Sequence, residues 1–502
     1  MSDVIFSSLG NILNLTNLLY INLGLAVGVV FGAIPGLTAT TGICMLLPIT
    51  FGMDTVPAML LLLGLYCGGV YGGSITAVLI RTPGTVGAAM TVLDGHPMAV
   101  KGHPGKALDT ALKASTYGGL LSAVILLFAA PVIAQFAVKF ASAEKFALAV
   151  FGIVVVSSLN MKNQFKGLIS AFLGILVSCI GTDPIEGLSR LTFGSTRMLS
   201  GINTIPVLIG IFAITEILNK VHTKDEEIVK PDKDFNKERM TGKEFKSCFK
   251  DMTKSAVIGA FIGAVPGTGT GTAATLCYAE AQRSSKTPEL FGTGHINGLA
   301  APEAGNNGVT GAALIPTLTL GIPGDTSTAV LLGALAMQGI TPGPAVFERQ
   351  PVLMYTIMLA MFVINIFMFL QGRLFIKAFV NVVKIPAALL NAIIVAMCTI
   401  GAYSVNNSVF DVFVMVVFAA IGYLMNRVGM PTTPLLMGVI LGTMAESNLR
   451  RVLAMSNGSW LPLFTKPISC IILVLSILLV LIPLGSKAVH KLRPAKDQEA
   501  PQ

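Results

Sequence analysis

Four short Pro-Gly motifs carry the residues of this chain best suited to chemistry. Two lie early, at Pro35-Gly36 and Pro83-Gly84, and two late, at Pro266-Gly267 and Pro323-Gly324. Proline in an apolar run removes a backbone donor and displaces the carbonyl of the preceding turn. The glycine beside it tolerates positive φ, so each motif is expected to interrupt a helix. A helix restarting after the break presents free N–H groups and about half a positive charge, which attracts anions. The helix that stops there leaves free carbonyls, which with hydroxyls and amides can hold a sodium ion. Hydroxyls do follow the breaks: Thr38, Thr40 and Thr41; Thr85; Thr268, Thr270 and Thr272; Thr326, Ser327 and Thr328. They can cap the new helix, bond its backbone or serve a ligand.

The candidate substrate-binding set is therefore Pro35, Gly36, Thr38 and Thr40 in the first motif and Arg81, Pro83, Gly84 and Thr85 in the second. The third contributes Pro266, Gly267, Thr268 and Thr270, and the fourth Pro323, Gly324, Thr326 and Ser327. Asn306, Asn307, Asp325 and Thr328 are candidates for a cation, the two asparagines equally for the carboxylate, with helix capping as the structural alternative for them. Arg81 can grip a carboxylate bidentately or sit at the membrane boundary and snorkel. Asp325 can meet a cation or Arg81. Glu303 and Glu446 are weaker candidates, more often helix-end residues. A charge inside a bilayer costs roughly 2.5 to 3.5 kcal/mol at a helix centre, so charges kept there tend to be used.

The elements that must position these residues are membrane helices. Of 502 residues 53% are apolar and only 12% charged, against roughly 25% charged in soluble domains. Charge-free runs include residues 114–138, 255–279, 351–372, 385–410 and 467–486, and no charge occurs from Val4 to Met53. At about 20 residues per span, the runs predict an all-α polytopic protein with about 11 to 12 transmembrane helices. The first residues lack the basic region of a cleavable signal, so the first span is expected to be retained. The net charge of +9 sits mostly in connections and tail, which suits a positive-inside membrane protein and not a nucleic-acid binder. Seven scattered cysteines without a CxxC pair read as small core residues.

The motifs recur in order. Residues 28–36 match residues 259–267 at an offset of 231, and Thr82-Pro-Gly-Thr85 corresponds to Ile322-Pro-Gly-Asp325 at an offset of 240. Two such matches predict a duplicated unit. The expected organisation is a first repeat half over 1–218, a charged cytoplasmic linker over 219–254, a second half over 255–486 and a cytoplasmic tail over 487–502. The linker carries ten Lys/Arg and eight Asp/Glu between Asn219 and Lys254.

No Gly-x-x-x-x-Gly-Lys-Ser/Thr loop occurs, and Gly267-Thr-Gly-Thr-Gly-Thr272 lacks the lysine that nucleotide phosphates require. Neither a metalloprotease helix nor a nucleophile elbow is present. The chain reads as no enzyme, with no cofactor and no metal beyond a sodium site. The histidines show no metal or proton-relay spacing.

The motifs resemble the large permease subunit, TctA-type, of the bacterial tripartite tricarboxylate transporters. The resemblance rests on Gly32-Ala-Ile-Pro-Gly-Leu-Thr-Ala-Thr40, Tyr71-Gly-Gly-Ser-Ile-Thr-Ala77, Thr82-Pro-Gly-Thr85 and Leu93-Asp-Gly-His-Pro97. It continues through Gly263-Ala-Val-Pro-Gly267, Ala301-Pro-Glu-Ala-Gly-Asn-Asn307, residues 315–324, Asp411-Val-Phe and Gly422-Tyr423, and covers about residues 15 to 485. It implies a sodium-driven or other cation-driven importer of small di- or tricarboxylates in the bacterial inner membrane. It implies a periplasmic solute-binding protein and a small membrane subunit of about four spans as partners, and a homodimer is compatible with it. Arg81 and Asp325 stand where smaller or uncharged residues are expected, so the substrate can differ from citrate. The reading from another class is a passive channel or a scaffold subunit.

Overall fold

A computed structural model describes residues 2–158, 164–183, 185–220, 238–382 and 387–492. Residues 221–237 of the expected linker and 493–502 of the expected tail lie outside the described residues. The described chain is helical almost throughout, with one two-stranded hairpin, Gly181–Thr182 against Ser189–Arg190. Five described helices are long and apolar enough to cross a membrane: Leu15–Gly32, Thr55–Ile80, Pro104–Ala137, Pro351–Leu374 and Val409–Arg427. Six shorter apolar helices join them, including Ala39–Gly52, Thr326–Met337 and Pro467–Leu481. An all-α polytopic membrane fold is thus what the chain adopts.

Two compact units divide the chain. One comprises residues 1–139 and 203–424, the other 140–202 and 425–502. The larger unit is organised around two helices buried along almost their whole length, Thr55–Ile80 and Ile296–Ala312. The first is made almost entirely of apolar and small residues, as a core helix must be, and the second carries buried polar groups, Glu303, Asn306 and Asn307, within the core. Leu15–Gly32 packs along Thr55–Ile80, and Gly242–Ala264 along Ile296–Ala312. Their contact is close because glycines recur every fourth residue. A Cβ at Gly24, Gly28 or Gly32 would stand 2.1, 2.3 or 2.2 Å from the carbonyl oxygen of Leu61, Leu65 or Gly69. Small residues that let backbones touch are the usual glue between membrane helices, where dispersion must replace the hydrophobic drive. Pro104–Ala137 packs on Ile296–Ala312 and keeps Val124, Phe128, Val132 and Phe136 outward, an apolar stripe at helical spacing suited to lipid.

The smaller unit packs Ser142–Ser158, Gln164–Ser178, Thr433–Met455 and the helix from Pro467. Its hairpin is tied by charge: Arg190 pairs with Glu446, and Arg450 reaches Asp183 at 2.5 Å and Glu186 at 2.5 Å. The Asp183 carboxylate also accepts the Ile185 N–H at 2.8 Å. That N–H and the Arg450 guanidinium hold the carboxyl down at about 2. Glu446 is therefore part of this ionic cluster.

All seven cysteines are free, five of them buried, in keeping with small core residues.

Candidate functional site

Each Pro-Gly motif interrupts a helix, as its chemistry demands. Leu15–Gly32 stops before Pro35 and resumes as Ala39–Leu46, while Gly242–Ala264 stops before Pro266 and resumes as Gly269–Ser284. Gly36 and Gly267 take left-handed φ of 73° and 76°, a turn that other residues enter only with strain. The other two breaks follow Thr55–Ile80 and Leu314–Leu320. Gly321 closes the latter with φ 70°, and Arg81 closes the former with φ 60°, exposed at the helix end.

The four breaks converge inside the larger unit. Gly267 N–H donates to the Gly324 carbonyl at 2.7 Å, and a Cβ on Gly84 would lie 1.9 Å from the Gly32 carbonyl oxygen. Motifs also meet crosswise, each early motif against a late one. Thr40 Oγ1 lies 2.8 Å from Ser327 Oγ and 3.3 Å from Thr326 Oγ1. Gly87, just past Thr85, faces Thr270 and Asn306: a Cβ there would stand 2.2 Å from Asn306 Oδ1 and 2.8 Å from Thr270 Oγ1.

Capping accounts for several of the expected residues. Thr38 Oγ1 accepts the Thr41 N–H at 3.2 Å, starting Ala39–Leu46. Asp325 and Thr328 form a reciprocal box at the start of Thr326–Met337, with Thr328 N–H donating to Asp325 Oδ1 at 2.7 Å and Asp325 N–H to Thr328 Oγ1 at 2.8 Å. The second carboxylate oxygen accepts Tyr66 OH at 2.6 Å. Thr268 turns back instead, its hydroxyl within 2.5 Å of the Ile262 carbonyl and 2.9 Å of that of Val265. Asn307 Nδ2 donates to the Glu303 carbonyl one turn earlier, at 3.2 Å.

Asn306 is different. It is 0% exposed, and neither its Oδ1 nor its Nδ2 has a hydrogen-bond partner. Thr85 Oγ1, two residues before Gly87, is also a buried atom without a partner. Leaving such groups unmatched costs about 1 to 3 kcal/mol each, which makes them the first polar groups here to look to for a ligand.

The helix bearing Asn306 is held by Glu303, wholly buried. Its carboxylate accepts Ser74 Oγ at 2.6 Å and Ser115 Oγ at 2.8 Å, and also the Thr91 hydroxyl. Those three donors sit on the helices Thr55–Ile80, Pro104–Ala137 and Thr91–Val100. Asp94 performs a similar service at the entry to Ile296–Ala312. It accepts the N–H groups of Gly294 at 2.8 Å and His295 at 2.7 Å, and Tyr278 OH at 3.0 Å. Sequence reasoning missed Tyr66, Gly87 and Asp94 as site-forming residues. A tyrosine in an apolar run and a glycine after a turn carry no signal of their own. Asp94 was visible only as a member of the Leu93-Asp-Gly-His-Pro97 motif, with no role of its own. No described cluster of His, Cys, Asp and Glu could hold a metal.

Broken helices enclosing buried, unsatisfied polar groups in a polytopic helical protein define a membrane transporter. The chain belongs to the tripartite tricarboxylate transporter TctA family, whose profile matches residues 18–437. It is 36% identical to an uncharacterised 52.8 kDa protein of the TAR-I ttuC' 3' region of Agrobacterium vitis, over 93% of each chain. A second uncharacterised protein, from the TAR-II ttuC' 3' region of the same organism, is 37% identical over 48% of this chain and 98% of its own. No solved structure matches the chain. The protein is thus a multi-pass membrane subunit of a tricarboxylate transporter, of a kind that works with partner subunits.

Proposed function

We propose that this chain is the solute pathway of a cation-coupled importer of small di- or tricarboxylates in the bacterial inner membrane, with sodium as the coupling ion. A periplasmic binding protein delivers the carboxylate, and a small membrane subunit completes the complex; the chain itself catalyses no covalent chemistry. The observation that carries this reading is the meeting of the second and third helix breaks, through Gly87 and Thr270, at a buried amide, that of Asn306, with no partner at either end. Helix N-termini there favour an anion, and the amide and hydroxyl oxygens suit its cation. The crosswise meeting of early and late motifs supports a duplicated unit whose two copies move against each other.

The complex reconstituted in liposomes with its two partners tests the reading. An inward sodium gradient is expected to drive accumulation of citrate or succinate above equilibrium. Uptake that only equilibrates, indifferent to the gradient, would identify a passive channel instead.

A further inference from the structure

The two crosswise contacts are built from corresponding residues, yet they differ in chemistry. At an offset of 231, Thr38 corresponds to Gly269 and Thr40 to Gly271; at an offset of 240, Thr85 corresponds to Asp325 and Gly87 to Ser327. On the first contact Thr38 caps its helix, Asp325 caps the other, and Thr40 bonds Ser327 at 2.8 Å. On the second, glycines stand in place of Thr38, Thr40 and Ser327. Gly269–Ser284 accordingly begins without a side-chain cap, since Gly269 has nothing to offer and Thr268 is turned back. Into this contact points the Asn306 amide, buried and unpartnered, while Thr85 Oγ1, also unpartnered, belongs to the same break two residues before Gly87 and packs against Gly73. Gly87 lets the amide lie against backbone, because any Cβ there would strike Asn306 Oδ1.

We propose that the Asn306 amide is the shared ligand of a substrate carboxylate and its alkali cation. This rests on the carboxylate-transport reading and locates the pair within it. Nδ2 donates to a carboxylate oxygen seated at the uncapped N-terminal turn of Gly269–Ser284, whose N–H groups and dipole favour the anion. Oδ1 and Thr85 Oγ1 take the cation beside it, and oxygen donors without charge suit a monovalent ion. An amide has opposite polarity at its two ends, so one side chain orients both ions and sets them in contact. The contact pair carries one negative charge fewer through a medium in which charge is costly. It follows that each ion must raise the affinity for the other by the same factor.

The test is equilibrium binding to the purified complex, with citrate and succinate as probes at graded sodium. The parent is expected to show reciprocal coupling of about tenfold or more. Asn306→Ala should bring the coupling factor close to one and weaken carboxylate binding by about 10- to 100-fold. Thr85→Val, nearly isosteric and so safer for folding, should weaken sodium binding by about tenfold while the carboxylate at saturating sodium shifts little. Parental coupling in both variants overturns the shared site and leaves the transport reading standing. Carboxylate binding indifferent to sodium in the parent overturns the shared ligand alone, whereas no binding of either acid at any sodium concentration overturns the transport reading with it.

Discussion

The Thr40–Ser327 contact and the Gly87–Asn306 contact are made by corresponding motifs, and one is filled with matched hydrogen bonds where the other is left unmatched. On the filled side every polar group has a use: Thr40 with Ser327, Asp325 with Thr328 and with Tyr66. On the unmatched side Asn306 and Thr85 point inward with nothing to bond. The backbone breaks are alike, so the Pro-Gly motif alone does not make a binding site. What decides is the residue type one to four positions after it. A capping acid or a hydroxyl closes the break upon itself, and a glycine leaves it available. On the reading proposed above, the two motif pairs are specialised, one contact serving as the joint and the other as the ligand seat.

The strongest way to break this picture is to attack the scaffold both contacts share. A Cβ at Gly84 would lie 1.9 Å from the Gly32 carbonyl oxygen, 2.8 Å from Thr76 Oγ1 and 2.9 Å from Gly73 Cα. Two of those three neighbours are backbone and cannot step aside. Gly84→Ala is expected to cost about 3 kcal/mol and to lower the melting temperature and the monodisperse fraction in detergent. A near-parental melt would mean that the two breaks are not packed as described.

A smaller effect is expected from the joint. Thr40→Val keeps the shape but removes the hydroxyl between Ser327 and Thr326, leaving the Ser327 hydroxyl buried with one partner fewer. Stability should fall by about 1 kcal/mol. If the filled contact is where the copies slide, the variant should change maximal uptake rate more than carboxylate affinity, the reverse of Asn306→Ala. Equal effects on affinity from Thr40→Val and Asn306→Ala would erase the distinction between joint and seat.

How far the sequence foretold this arrangement differs between the breaks and their consequences. Proline and glycine act through local sterics, so the four interruptions were legible as they stand, and so was the helical membrane class from charge-free runs. The recurrence of the motifs in order was legible too, and with it the pair Thr85/Asp325, while the role of Gly87 was not. Which motif touches which was not, because crosswise contact is a property of packing between distant helices. Tyr66 and Glu303 illustrate the same limit. Tyr66 looks ordinary along the chain and Glu303 reads as a helix-end carboxylate, and only the fold brings Tyr66 to Asp325, and Ser74, Thr91 and Ser115 to a Glu303 that lies mid-helix. Capping was open to Thr328 among other hydroxyl uses, whereas Asp325 read as a partner for a cation or Arg81; only the fold shows its carboxylate shared between the Thr328 N–H and the Tyr66 hydroxyl.

The smallest effect expected is at Arg81, and it separates strain from use. Arg81 sits at φ 60° where the corresponding residue of the other copy, Gly321, sits at φ 70°. A side chain in that left-handed region costs about 1 kcal/mol relative to glycine, which is conformationally at home there. Against that, a cation at the C-terminal end of Thr55–Ile80 gains about 0.3 to 1 kcal/mol from the helix dipole. The two nearly cancel, so Arg81→Gly should raise the melting temperature by no more than a degree or two. A strained conformation that brings so little net stability makes Arg81 a candidate for a use of its side chain, which the transport assay tests. The exposed guanidinium stands at the edge of the break that carries Thr85 and Gly87, on the unmatched side, where it can draw in an anion. Uptake by Arg81→Gly should therefore fall at low carboxylate concentration and recover at saturation, with the loss shrinking as salt screens the charge. A variant that melts higher and transports as the parent does at every concentration would leave Arg81 a tolerated helix end, with no part in the asymmetry of the two contacts.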